Sequence, residues 1–421
     1  MKRQAVITGI GAVTACGLGV EALWRDVAGG KSAVRPWAEA ELSGVPVRIG
    51  AQVINFDPVQ FVARKMARRL DRSAQFALGA ASMALDDAGL DLSPAMPDRC
   101  GVFDGSSLGA LALLIEQLRK SLAGECNAHA PTLLVCGMSG NSSGAIAMQF
   151  GFKGPAVTFS HGSVSSTCAI GYGLRAIERG ELDVAIVGGT EAPFHPDIIR
   201  PFVHAGVLSQ RNGSPQSACR PFSADRDGFV LGEGAVYVVL EEFSHAQLRK
   251  AKTYCRLAGF AESCDAFHPT SPDPDGTMLA AAMRKSLQEA EIAVDEIGYI
   301  NLHGTATAAN DPAECKAVRA VFGSQEHQPL CGSTKPVTGH LLGACGAVET
   351  AVVAMALRQQ VIPPSLNSTP RDPQCDVDCA AGSSEHAELR AAISTNCSFG
   401  GRNASLVFSR IDERLRRKEL V

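Results

Sequence analysis

A chain of 421 residues exceeds one small module, since an average domain takes about 150 residues. Hydrophobic residues at 46%, charged residues at 19% and a formal net charge of -4 describe a folded globule with ample core, which excludes a disordered chain and a basic nucleic-acid binder. Many glycines beside 5% aromatics suit short strands and helices better than a helical bundle, so the expected class is α/β.

At the start, Lys2 and Arg3 precede an apolar run ending Val13-Thr14-Ala15-Cys16, close to a bacterial lipoprotein cleavage site. Gly9 and Gly11 interrupt that run, so it reads instead as a buried strand over Ala5 to Thr8 and a tight turn over Gly9-Ile10-Gly11. The turn lacks the third glycine of a dinucleotide fingerprint. From Ser73 to Ala88, the residues Phe76, Ala80, Met83, Ala84 and Leu85 recur at helical spacing, with Gly89 as C-cap. A strand follows at Cys100 to Phe103, then the small-residue turn Gly105-Ser106-Ser107. Pro155 to Phe159 is predicted as a strand, Ser160 to Ser163 as a sharp turn, and Ile170, Leu174 and Ile177 as the buried stripe of a helix ending at Gly180. Next come a strand at Val184 to Val187 and a turn at Gly188-Gly189-Thr190.

Past residue 250 the syntax repeats: a helix through Met283, Leu287 and Ala290, a strand from Tyr299 to Leu302, and the turn Gly304-Thr305. Ala84 to Asp91 and Ser286 to Ala293 read as one element used twice. The expected division is a first half at 1–250, a second at 251–410 and a charged tail at 411–421. No stretch approaches the roughly 20 apolar residues of a membrane span, so a cytoplasmic protein is expected. The cysteines are scattered from Cys16 to Cys397 and read as reduced core thiols. Cys375 and Cys379 lack a second pair or a nearby His, so no metal site is expected.

Three short segments carry chemistry. Ser163 falls at a helix N-terminus, where free N–H groups and the macrodipole favour developing negative charge; taken alone, the segment reads first as Ser163, Ser165 and Ser166 capping that helix. His303 lies in Asn301-Leu302-His303-Gly304-Thr305-Ala306-Thr307, and His340 follows Lys335 by five residues. Zinc is a rival reading of the two histidines, but a compact ligand spacing is missing. Two neutral imidazoles donating to one carbonyl would instead stabilise an enolate. The G-x-S-x-G elbow of α/β serine hydrolases is absent around His161-Gly162-Ser163-Val164-Ser165.

With these segments in view, the chain resembles the elongating β-ketoacyl-ACP synthases, condensing enzymes of the thiolase fold. The likeness runs from Val6-Thr8-Gly9-Gly11 to Phe399-Gly400-Gly401 and Asn403. It includes Asn301-His303-Gly304-Thr305-Thr307-Asn310-Asp311, the run from Thr334-Lys335 through Gly339-His340 to Glu349, and Arg220-Pro221-Phe222 followed by Asp225 to Gly234. The resemblance implies two related halves with mixed sheets in five αβαβα layers. It also implies a dimer, either with itself or with a second ketosynthase-like subunit, and acyl and malonyl groups delivered on the phosphopantetheine of acyl carrier protein, with no further cofactor.

By the same resemblance, His303 and His340 would hold the malonyl carbonyl and Lys335 would tune the pair, with Asp311, Glu314 and Glu349 in support. Thr305 and Thr307 would bind pantetheine. Backbone N–H groups of Ser163 and Phe399 would form an oxyanion hole, and Gly400 and Gly401 beside it would bind substrate. Phe399 would gate the acyl pocket and Leu108 would line it, while Arg64, Lys65, Arg68 and Arg69 would dock the acidic carrier; alone, that basic stretch reads equally as a solvated helix face.

Position 163 departs from the family, which carries a cysteine there. A thiol ionises readily at a helix N-terminus and a hydroxyl does not. Three readings stand: a serine introduced to trap a complex; a natural nucleophile shifted toward acyl transfer, ester formation or decarboxylation; or a chain-length-factor subunit paired with a cysteine-bearing partner. Retention of His303, Lys335 and His340 ranks a catalytic condensing enzyme first.

Overall fold

The protein is described from a computed structural model that covers residues 3–37, 44–90, 97–125, 133–324, 328–380 and 382–411, so all but the first residue of the expected tail lies outside the described residues. Ten principal strands form a sheet whose order repeats. β1 (Ala5–Thr14), β2 (Cys100–Gly105), β3 (Ala156–Phe159), β4 (Val184–Glu191) and β5 (Gly234–Glu242) lie side by side as β1-β5-β4-β2-β3. β6 (Arg256–Cys264), β7 (Ile297–Asn301), β8 (Leu330–Gly332), β9 (Ala391–Ser398) and β10 (Arg402–Ser409) lie as β6-β10-β9-β7-β8, the same permutation. Each half is mixed: β2 runs parallel to β3 and β4, β7 runs parallel to β8 and β9, and the other pairings are antiparallel. The two half-sheets are also joined, because β1 pairs with β6 at Ala5–Leu257 and Val6–Arg256.

Helices repeat as the strands do. The first half carries α1 (Arg72–Ala88), α2 (Asn141–Phe150) and α3 (Ser165–Glu178); the second carries α4 (Thr277–Ala290), α5 (Asn310–Phe322) and α6 (Cys345–Gln359). α1 and α2 cover the outer face of the first half-sheet, and α4 and α5 that of the second, while α3 and α6 pack together and touch both half-sheets. The result is five layers, αβαβα. Burial follows from this placement: every residue of α6 from Cys345 to Leu357 is buried, as a helix covered on all sides requires, and α3 exposes little more. α1 begins where the Asp71 carboxylate accepts from Ser73 N and Ala74 N, and ends where Gly89 turns left-handed at φ 57°.

Two expected turns are absent. β1 runs unbroken through Gly9-Ile10-Gly11, and β4 runs through Gly188-Gly189-Thr190. A Cβ at Gly9 or Gly11 would run into the carbonyls of Ala84 and Ala80, so these glycines let α1 cross β1 closely. Gly188 and Gly189 likewise make room for β5, β2 and the start of α3. In strands buried on both faces, glycine here marks close approach of another backbone.

Parallel strands position the chemistry. The loops after β2, β3, β7 and β8 all leave the carboxyl ends of parallel strands and converge from both halves, the usual place for a ligand in an α/β sheet. They carry Leu108, Ser163, His303, and Lys335 with His340. The described cysteines are all free and most are buried, and no helix among the described residues is long and apolar enough to cross a membrane.

Candidate active site

β3 ends at Phe159 and α3 begins at Ser165, leaving five residues to reverse the chain. Gly162 takes the left-handed conformation at φ 64°. The Ser165 hydroxyl closes the turn: it donates to Gly162 O at 2.5 Å and accepts from His161 N at 2.8 Å. Ser163 therefore does not cap α3. Its Oγ lies 3.4 Å from His340 Nε2, and its backbone N–H donates to Ser398 Oγ at 2.9 Å. Cys168, five residues on, is buried against the Glu262 carboxylate, and burial together with that charge pushes its thiol well above the usual range.

The imidazoles of His303 and His340 stand nearly perpendicular, with ring centroids 5.2 Å apart. Each has its tautomer fixed. Leu342 N–H donates to His340 Nδ1 at 2.9 Å, so Nδ1 carries no proton and Nε2 does. The Asn396 amide donates to His303 Nδ1 at 3.0 Å, with the same consequence for that ring. Asn396 is itself held in one orientation, because its NH2 also donates to Glu349 Oε2 at 2.7 Å and its Oδ1 accepts from the Thr167 hydroxyl. Burial, then the Lys335 charge, holds both histidines well below the usual imidazole range, with each ring neutral; His340 adds to the effect at His303.

Lys335 supplies that charge. Burial alone would lower its pKa, but the Glu349 carboxylate at 2.6 Å outweighs burial and raises it, so the ammonium keeps its proton. The His303 loop is fixed by Glu314, which accepts from His303 N at 2.8 Å and Gly304 N at 2.7 Å; burial, opposed by these bonds, lifts its carboxyl to about 7. Asp311 accepts from Phe222 N and Ala306 N and secures the same loop from its other end. Behind His340, the buried thiol of Cys345 lies 3.3 Å from Nδ1.

A cavity of about 630 Å³ gathers Ser163, His303, His340, Thr305, Thr307, Leu108 and Phe399 in its wall. Lys335, Glu314, Glu349 and Asp311 stand behind it. Gly400 and Gly401, expected to touch substrate, do not line it: at φ 83° and 69° they make the tight turn between β9 and β10 that aims Phe399 at the cavity. Arg64, Lys65, Arg68 and Arg69 are exposed, and none makes an ion pair with a described residue. They occupy and follow the four-residue helix Arg64–Ala67, just ahead of α1, whose Ser73 reaches Gly109 in the Leu108 turn.

Sequence reasoning missed Asn396, Ser398, Cys345 and Glu191. All touch the site from strand or helix ends: Asn396 reaches His303, Cys345 reaches His340, and Ser398 and Glu191 hold backbone N–H groups of Ser163 and Gly343, pairings that local sequence does not signal. Chemically, two Nε2–H donors meet at the cavity wall with one buried cation behind them, an arrangement that stabilises an oxyanion or enolate. Ser163 faces a protonated nitrogen, so His340 as wired donates to its hydroxyl and does not accept its proton.

Two family models match the chain. The β-ketoacyl synthase N-terminal domain matches residues 2–246, and the β-ketoacyl synthase C-terminal domain matches residues 254–369. The chain belongs to the β-ketoacyl synthase family. Among its relatives, 3-oxoacyl-[acyl-carrier-protein] synthase 2 of Coxiella burnetii is 36% identical over 97% of this chain and 99% of that protein, and the Vibrio harveyi protein of the same name is 36% identical over 98% and 100%. Solved structures with the same fold include a type II polyketide ketosynthase in complex with its acyl-carrier protein (TM-score 0.90, 30% identity, 98% of this chain and 100% of that one) and the ishigamide ketosynthase/chain length factor (TM-score 0.90, 30% identity, the same coverage). Membership makes this chain an acyl-transferring condensing enzyme of the thiolase-like fold.

Proposed function

We propose that this condensing enzyme carries out the malonyl-ACP half of decarboxylative Claisen condensation in fatty acid or polyketide elongation, with Ser163 standing where the acyl group is received. The observation that carries the reading is the fixed tautomer of both histidines: each presents Nε2–H to the cavity, neutral and buried. A malonyl thioester carbonyl accepting both bonds would see its developing negative charge met by two donors and by Lys335 behind them. The bond from C2 to the carboxylate then breaks, carbon dioxide leaves, and the electron pair passes into the enolate. That enolate takes a proton to give acetyl-ACP, or attacks an acyl thioester to give β-ketoacyl-ACP with loss of the carrying thiol. Thr305 and Thr307, whose hydroxyls lie 2.9 Å apart on the wall, are suited to the pantetheine amides.

Acyl loading is the weak half, since the Ser163 hydroxyl has no base within reach among the described residues. The four exposed cations from Arg64 to Arg69 suit an acidic carrier, which arrives by charge attraction. A second copy or a related subunit fits the far end of the sheet: β3 is an edge without a further strand among the described residues, with Val157 exposed, and Met148 is exposed on α2, which packs on β3. A second reading, a subunit paired with a cysteine-bearing synthase, draws on that surface and on the ketosynthase/chain length factor relative.

The test is malonyl-ACP turnover and intact mass after acyl-ACP. The reading expects carbon dioxide release without an acyl adduct on the unaltered chain, and an adduct with full condensation in Ser163→Cys. No carbon dioxide release, with Ser163→Cys inert and a cysteine-bearing synthase copurifying, establishes the second reading instead.

A further inference from the structure

Ser398 is the last residue of β9, the place that Glu191 holds at the end of β4 in the other half. Each reaches across the molecule and accepts a backbone N–H from the loop ahead of a central helix. Glu191 accepts from Gly343, ahead of α6, and Ser398 accepts from Ser163, ahead of α3. Their grip differs. Glu191 is a fully buried carboxyl that also accepts from Ser107 N, Leu108 N and the Ser106 hydroxyl, four bonds in all. Ser398 is half-buried in the cavity wall and holds Ser163 by one neutral bond. Such a bond shifts an equilibrium by only a factor of about 2 to 12, so it breaks readily.

The N–H that Ser398 occupies is the one an acyl thioester needs. When a nucleophile at residue 163 adds to the thioester carbon, the carbonyl electron pair moves to oxygen, and that oxyanion is stabilised by donors at a helix N-terminus. The neighbouring Phe399 N–H has no partner among the described residues and stays available. Gly162 completes the arrangement, because a Cβ there would collide with Ser398 Oγ.

We propose that the Ser398 hydroxyl is a removable plug in the oxyanion position, occupying the Ser163 N–H until an acyl thioester displaces it, and thereby setting the rate of acyl transfer to residue 163. The proposal rests on residue 163 being the acyl-receiving position.

The experiment uses the full chain carrying Ser163→Cys and follows single-turnover acylation by hexanoyl-ACP with intact mass. In that variant the thiolate introduced at position 163 adds to the thioester, the carrier thiolate is expelled, and it takes up the proton that the introduced thiol released. Adding Ser398→Ala or Ser398→Gly is expected to raise the rate about 2- to 12-fold, and Ser398→Thr, which keeps the hydroxyl, to return it to the Ser163→Cys value. An unchanged or lower rate in Ser398→Ala, or no acylation in any variant, overturns the plug; loss of folding in Ser398→Ala and Ser398→Gly makes Ser398 a tether and overturns it too. Carbon dioxide release from malonyl-ACP by the unaltered chain reads the histidine site separately. Release without faster acylation sinks the plug alone, and faster acylation without release sinks the proposed malonyl chemistry alone.

Discussion

The loops after β3 and β8 hold equivalent places in the two halves, yet they are built differently. Five residues connect β3 to α3 and leave Ser163 half-buried, its hydroxyl 3.4 Å from one imidazole. Twelve residues connect β8 to α6, enough to bury Lys335, His340 and a 2.6 Å ion pair with Glu349. Length decides burial, and burial decides chemistry: on the long loop it keeps an imidazole neutral beside a cation, while on the short one the side chain stays open to exchange.

The sharpest way to break this contrast is to remove the cation. Lys335→Met leaves Glu349 buried without its partner and is expected to cost about 3–5 kcal/mol of stability, read by denaturant unfolding. Ser163→Ala, on the open side, should shift the midpoint little. Next in size, His303→Ala or His340→Ala should each lower malonyl-ACP decarboxylation by about 10²-fold or more, since each removes a preorganised donor. Retained carbon dioxide release would make both residues structural.

Asn396→Asp probes the tautomer. A carboxylate cannot donate to His303 Nδ1, so the ring should turn to Nδ1–H and lose its donor toward the cavity. Decarboxylation is expected to fall by about tenfold or more, with the nitrogen-15 shifts of His303 exchanging between the two ring positions. Unchanged shifts would remove Asn396 from the relay. Reversing two charges among Arg64, Lys65, Arg68 and Arg69 should weaken carrier binding several-fold at low salt and less at high salt, leaving small thioesters unaffected. Equal binding sinks the dock.

The smallest effect is an absence of change. An ordinary histidine is half-protonated near pH 6.5, and protonation at either Nδ1 would oppose the bonds already made there. Both site histidines have pKa values depressed well below that, so they stay neutral as pH falls through it. The nitrogen-15 shifts of both rings should therefore stay at neutral-imidazole values from pH 8 to about 6, even as Glu314, raised to about 7, titrates behind the His303 loop. A shift change of the rings centred near 6.5 would mean that they are more solvated than their burial indicates.

Much of this was legible in the sequence, for identifiable reasons. Helical spacing from Phe76 to Leu85 and the Gly89 cap delivered α1, and the motifs around His303 and His340 singled out the two imidazoles that face each other on the cavity wall, because local pattern and motif spacing survive in one dimension. The turns expected at Gly9-Ile10-Gly11 and Gly188-Gly189-Thr190 failed because glycine serves close packing as well as reversal, and only the neighbouring backbone distinguishes the two uses. Asn396 and Ser398 escaped because their partners, His303 and Ser163, lie 93 and 235 residues away.

The seam between β1 and β6 bears on synthesis of the chain. All five strands of the first half lie between Ala5 and Glu242, so that half can complete its sheet while the rest is still being translated. What it cannot complete is the cover over α3, because the facing helix α6 begins about a hundred residues later, at Cys345. For the time that stretch takes to emerge, at roughly 5–20 residues per second, the nascent first half presents the apolar side of α3 to its surroundings.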